Sequence, residues 1–175
     1  MKKLPLYKIT ACAILTALAL ISFMIESLFP PILIPGARLG VSNVFILLSL
    51  ILLGTPYAFI TLTIKCLLGS IFAGNISAIL YSLPAGLISL GIETIILLFY
   101  KKFSIVAVST AGGILNLTVQ NVAFCLITNS IEYLYYLPYL ALIGSISVLT
   151  VGFIVYLIVK FLPDSITNKL FERRN

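Results

Sequence analysis

Apolar residues fill this chain in long runs, and the runs are separated by short breaks of proline, glycine or lysine. The first run, residues 9–29, is about 21 residues long, enough for a helix to cross a bilayer. It ends at Pro30-Pro31, and Pro35-Gly36 interrupts the stretch 32–38 again. Proline lacks an N–H donor and fixes its own backbone, so a structured loop or partial re-entry is predicted there. A short second helix is expected over about 39–53, followed by a tight turn at Gly54-Thr55-Pro56. A third helix is expected at about 57–73, a turn at Gly74-Asn75, and a fourth helix at about 76–100, kinked near Pro84 and Gly86. Lys101-Lys102 ends that helix, a fifth covers about 105–128, and a linker occupies 129–132. The sixth, about 133–162, has a break or interfacial start at Pro138, and Pro163-Asp164 stops it. The expected architecture is all-α: one polytopic membrane bundle over residues 1–175, with about six transmembrane helices.

Composition strengthens that expectation. The chain is 61% hydrophobic and 9% charged, with a mean hydropathy of +1.21, whereas a water-soluble domain needs about a quarter of its residues charged. Lys2, Lys3 and Lys8 precede the first run, but its spanning length reads as a retained helix, not the shorter core of a signal sequence. Cys12, Cys66 and Cys125 fall in apolar segments without CxxC spacing and read as small packing residues. The sequence has no histidine, which excludes a His-ligated zinc or haem and Ser-His-Asp catalysis. No metal or cofactor is expected.

Charge sets the orientation. With a cytoplasmic N-terminus, the inner segments hold Lys2, Lys3, Lys8, Lys101, Lys102, Lys160, Lys169, Arg173 and Arg174, and the outer ones hold Arg38 alone among basic residues. That bias predicts both termini in the cytoplasm. The net charge of +6 then serves topology and anionic headgroups, and basic residues scattered over loops give no nucleic-acid surface. Tyr133, Tyr135, Tyr136 and Tyr139 gather at the outer start of the sixth helix as an aromatic belt.

Polar residues at membrane depth need a reason, since a charge near the bilayer centre costs about 2.5–3.5 kcal/mol. Counting from the inner helix ends puts Lys65 and Glu93 at similar depth, where they are expected as a buried ion pair holding helices three and four in register, with ion or proton coupling as the alternative role. A second set lies in the outer half: Glu26, Arg38, Asn43, Asn116 and Gln120, the last two sharing one helix face, with Asn121 on an adjacent one. A charged pair with several amides suits a polar or zwitterionic small molecule, with the loop ending in Arg38 as a lid. The competing role is a helix-packing network. Ala13 and Ala17, four apart on the first helix, let another helix approach closely, either within the bundle or from a separate membrane subunit. There is no GxxxxGK[ST], and the single aspartate, Asp164, precludes an Asp-rich magnesium-diphosphate motif. Catalysis is not expected, and an ATP-driven role requires partner subunits.

These residues also carry a resemblance. The run from Glu26 through Pro30-Pro31 to Pro35-Gly36-Ala37-Arg38-Leu39-Gly40-Val41-Ser42-Asn43 resembles the N-terminal signature of the heptaprenyl diphosphate synthase component I family, also called the Gx transporter family. Lys65 to Ser70 with Gly74, Ser82 to Leu90, Gly112 to Gln120 and Tyr136 to Tyr139 resemble its further blocks, with Leu115 standing where the family tends to carry histidine. One name implies a non-catalytic membrane subunit of a prenyl-chain-elongating synthase. The other implies similarity to the S components of energy-coupling factor transporters: about six helices, cytoplasmic termini, an outward pocket under the first loop, and an alanine motif that docks a membrane coupling subunit carrying ATPase subunits. The second implication coincides with the polar cluster and the Ala13/Ala17 pair, so a small-molecule uptake subunit is the favoured expectation, with the synthase subunit as the alternative.

Reporter fusions after Asn175 and within the 129–132 linker should report opposite sides of the membrane. Signals from the same side would overturn the predicted topology.

Overall fold

The computed structural model describes residues 6–28, 40–99 and 104–163. Six α-helices account for most of them: α1 (Leu6–Leu28), α2 (Asn43–Leu52), α3 (Thr55–Phe72), α4 (Ala78–Phe99), α5 (Ile105–Thr128) and α6 (Leu137–Phe161), with a 3₁₀ segment (Ile131–Tyr136) leading into α6. Five of them are long and apolar enough to cross a membrane, and α2 is too short. The protein is a polytopic all-helical membrane bundle. The 32–38 loop with its lid role, Arg38, Lys101-Lys102 and Lys2, Lys3, Lys169, Arg173 and Arg174 lie outside the described residues.

Local chemistry explains the boundaries. Ser104 caps α5 by accepting a hydrogen bond from the Val106 N–H, and Asn129 closes its far end in the left-handed conformation. Gly54, at φ +102°, supplies the turn into α3 ahead of Pro56. The start of α6 at Leu137 matches the break expected at Pro138; Tyr135 and Tyr139 are exposed there, while Tyr133 stacks edge-on against Phe124.

Side-chain contacts fix the helix directions. Cys12 meets the Tyr57 carbonyl, Thr16 donates to Thr61, and Phe23 lies against Gly69, so α1 and α3 run parallel. Between them α2 returns antiparallel, with Asn43 against Lys65 and Ser49 against Thr61. From α3 onward each helix reverses the last: Leu62 faces Gly86, Glu93 faces Gly112, and Leu117 faces Gly144. Leu6 and Phe161 therefore lie at one end of the bundle; the opposite end is called distal below.

Helix α2 forms the centre. It packs on α1, α3 and α6, and its residues 46–51 are all buried, as expected for a helix that is apolar all round. Val44, Ile46, Leu47, Leu48, Leu50 and Ile51 join Ala58, Leu62, Leu90, Val151 and Val155 in one core. Hydroxyls tie α1, α2 and α3 together: Thr16 Oγ1 donates to Thr61 Oγ1 at 3.1 Å, and Thr61 donates to Ser49 Oγ at 3.4 Å. In lipid, such interhelical bonds and small residues at contacts hold helices where no hydrophobic difference does. Helices α4, α5 and α6 use the second device, with Gly112, Gly113, Gly144 and Gly152 letting side chains of the neighbouring helix into the space a Cβ would fill.

The second helix is shorter than expected. It begins at Asn43 because Gly40, at φ +75°, turns the chain and its carbonyl accepts the Asn43 N–H; Ser42 holds the N-cap position without a side-chain capping bond. Its ten residues make it about 15 Å long, half a hydrocarbon core of about 30 Å.

A methyl group at Gly113 would collide with both methyls of Val148 and lie 3.0 Å from its Cβ, and no valine rotamer clears all three. Gly113→Ala should destabilise the bundle by about 1–3 kcal/mol. Adding Val148→Ala should recover most of that loss in a detergent unfolding titration; no recovery would refute this α5–α6 contact.

Candidate binding site

Because α2 stops halfway, the distal half of the bundle has no central helix, and a cavity takes its place. Its volume is about 60 Å³, several times the roughly 10–15 Å³ that one water needs. It runs from Glu26, in the last turn of α1, down to Gly113 and Val148, and α1, α3, α4, α5 and α6 all contribute to its wall, with Gly40, Ser42 and Asn43 at the start of α2.

Four of the five residues expected to bind a ligand line this cavity: Glu26, Asn43, Asn116 and Gln120. The fifth, Arg38, lies outside the described residues. Glu26 Oε1 accepts the backbone N–H of Ser42 at 3.1 Å, which fastens the end of α1 to the start of α2. A carboxylate beside a helix N-terminus is also favoured by the helix dipole. Glu26 Oε2, Asn116 Oδ1 and Ser82 Oγ are shielded from solvent and have no hydrogen-bond partner among the described residues. Asn121 is turned elsewhere, buried and accepting from Cys125.

Lys65 belongs to this cavity, contrary to its expected pairing with Glu93. It is buried, donates to Asn43 Oδ1 at 3.0 Å and lies over the Phe23 ring at 5.3 Å, a cation–π contact. The helix register explains the difference. The short 73–77 connection aligns α3 with α4 from the distal end, and Leu62 faces Gly86. Lys65 then stands level with about Leu83, and Glu93 lies ten residues farther along α4, roughly 15 Å away in depth. Among the described residues no ion pair joins them; Glu93 packs against Gly112, whose missing side chain makes room for its carboxylate. Counting from the distal turn would have shown this. Ser82 and Ser147, lone hydroxyls in apolar runs, carried no comparable signal.

Ala13 and Ala17 are both exposed on the outer face of α1, while Cys12, Thr16 and Ala19 point inward. They take no part in the cavity.

A profile of the family described as heptaprenyl diphosphate synthase component I matches residues 15–158. No curated protein and no solved structure matches the chain.

Removing the acceptor beside a buried ammonium exposes its desolvation. Asn43→Ala should cost about 1.5–3 kcal/mol of stability. In a Lys65→Met background the same change should cost much less, measured as a double-mutant cycle by denaturant titration in detergent. Equal costs in both backgrounds would show that the Lys65–Asn43 bond contributes nothing.

Proposed function

The chain belongs to the heptaprenyl diphosphate synthase component I family, and from that premise and the distal cavity we propose that it is a non-catalytic membrane subunit that binds a small polar solute. In this reading it works as an S-component-like receptor of an energy-coupling factor uptake system. The solute enters from the extracellular side, and a coupling subunit with ATPase subunits drives its release into the cytoplasm. One observation carries the reading. Glu26, Asn43, Lys65, Asn116 and Gln120, from four helices, converge on one cavity at membrane depth, and two of them keep shielded oxygen atoms without partners among the described residues. Buried polar atoms are nearly always satisfied, so a helix-packing network alone leaves these oxygens unexplained.

The exposed pair Ala13 and Ala17 supports a docking face on α1. Leucine is the ordinary residue facing lipid, and two alanines one turn apart leave a shallow groove for a partner helix. The orientation follows from the basic residues, which favour the Leu6/Phe161 end as cytoplasmic; the cavity then opens outward.

The family description favours a second reading, in which the chain is the membrane partner of a prenyl diphosphate synthase. The two readings separate in reconstitution. A receptor binds a polar solute, co-purifies with a coupling subunit and leaves prenyl-chain elongation by a soluble catalytic partner unchanged. Stimulated elongation would overturn the receptor reading. Ala13→Trp and Ala17→Trp should leave the melting temperature nearly unchanged while abolishing association with the coupling subunit and uptake. Unfolding of either variant would assign the pair to internal packing and remove the docking face.

A further inference from the structure

The unpartnered atoms of the cavity share a polarity. Glu26 Oε2 and Asn116 Oδ1 can only accept hydrogen bonds, and Ser82 Oγ can accept as readily as donate. Glu26 stands at the top of the cavity and Asn116 near its floor, one turn from Gly113. The cavity therefore calls for donors at separate levels. Its one described cation, Lys65, stands between them on the α3 wall. A diphosphate, multiply negative and all acceptor, would set its oxygens against the carboxylate of Glu26 and the carbonyl oxygen of Asn116. A protonated amine reverses that match, because N⁺–H···O⁻ bonds to a shielded carboxylate are the stronger class. Lys65 then supplies the complement for an anionic group on the same molecule, leaving cavity and ligand together neutral at membrane depth, where uncompensated charge is expensive.

Resting on the solute-binding reading above, we propose that the ligand is an amino-acid-like zwitterion whose ammonium group is held by Glu26 and whose anionic group faces Lys65. The carbonyl oxygen of Asn116 receives a further N–H or O–H from the ligand. The class of substrate is thereby an amine-bearing acid, not a phosphate ester or a free carboxylic acid.

The test uses the full-length protein in detergent and four probes: β-alanine, propylamine, propionate and inorganic pyrophosphate. Unfolding is followed with a thiol-reactive dye, since Cys12, Cys66 and Cys125 are free and buried until the bundle opens. Binding constants come from the dependence of the melting temperature on probe concentration. β-Alanine should stabilise most and propylamine less. Glu26→Gln keeps an oxygen for the Ser42 N–H and should weaken both amines about tenfold or more while leaving propionate unchanged. Glu26→Asp should retain part of the amine affinity. Binding of propionate or pyrophosphate with the amines inert, or amine binding indifferent to Glu26→Gln, would overturn the amine assignment while leaving a solute site in place. If none of the four binds, native mass spectrometry of the purified protein decides: a co-purifying molecule without an amine overturns the assignment alone. No bound molecule at all, with ordered water filling the cavity, overturns the solute reading with it.

Discussion

The whole arrangement depends on an interrupted helix. A helix in lipid satisfies its backbone internally, whereas a chain that stops halfway leaves free N–H groups that need partners inside the protein. Here α2 is sheathed by α1, α3 and α6, its capping Ser42 N–H goes to Glu26, and its first side chain accepts from Lys65. The polar groups that finish α2 are the same ones that line the cavity above it. Ending the helix and building the site are one structural act, which is why a carboxylate and an ammonium are tolerated together at that level.

Much of this was legible in the sequence. The fifth helix begins and ends where expected, because Ser104 and Asn129 are unambiguous cap residues flanking an apolar run. Glu26, Asn43, Asn116 and Gln120 are recognisable as a group because each is polar in an apolar context and the predicted helix directions carry all four to the middle or the outer half of the membrane. The failure at Lys65 and Glu93 has a specific cause. Counting depth from the ends of α3 and α4 nearest Leu6 treats those ends as level, yet α4 is 22 residues long and α3 only 18. Antiparallel helices share a reference only at the turn that joins them. Ser82 and Ser147 stayed hidden for a different reason: a single serine in a membrane helix normally bonds back to its own turn, so the residue type alone does not point inward.

The two families of helix contact are unlike. Helices α1, α2 and α3 share the Thr16–Thr61–Ser49 hydroxyl chain beside the Phe23–Gly69 contact, while α4, α5 and α6 meet mainly through glycines, with Ser89 and Ser109 donating to the Gly112 and Val148 carbonyls. Close glycine contacts maximise dispersion between backbones and fix separation tightly. Hydroxyl bonds fix orientation instead, and they leave apolar side chains to fill the space.

The two groups of helices meet along a seam. The seam follows the α3–α4 and α2–α6 contacts, and the cavity straddles it, with Glu26, Asn43 and Lys65 on one side and Asn116, Gln120 and Ser147 on the other. The contact of Leu62 with Gly86 crosses the seam between α3 and α4, so an apolar side chain seated on a glycine ties the two walls of the cavity together. Lys65 lines the cavity while Leu67 and Leu68 stand exposed, so one turn of α3 carries both the charge of the binding space and the apolar surface of the bundle.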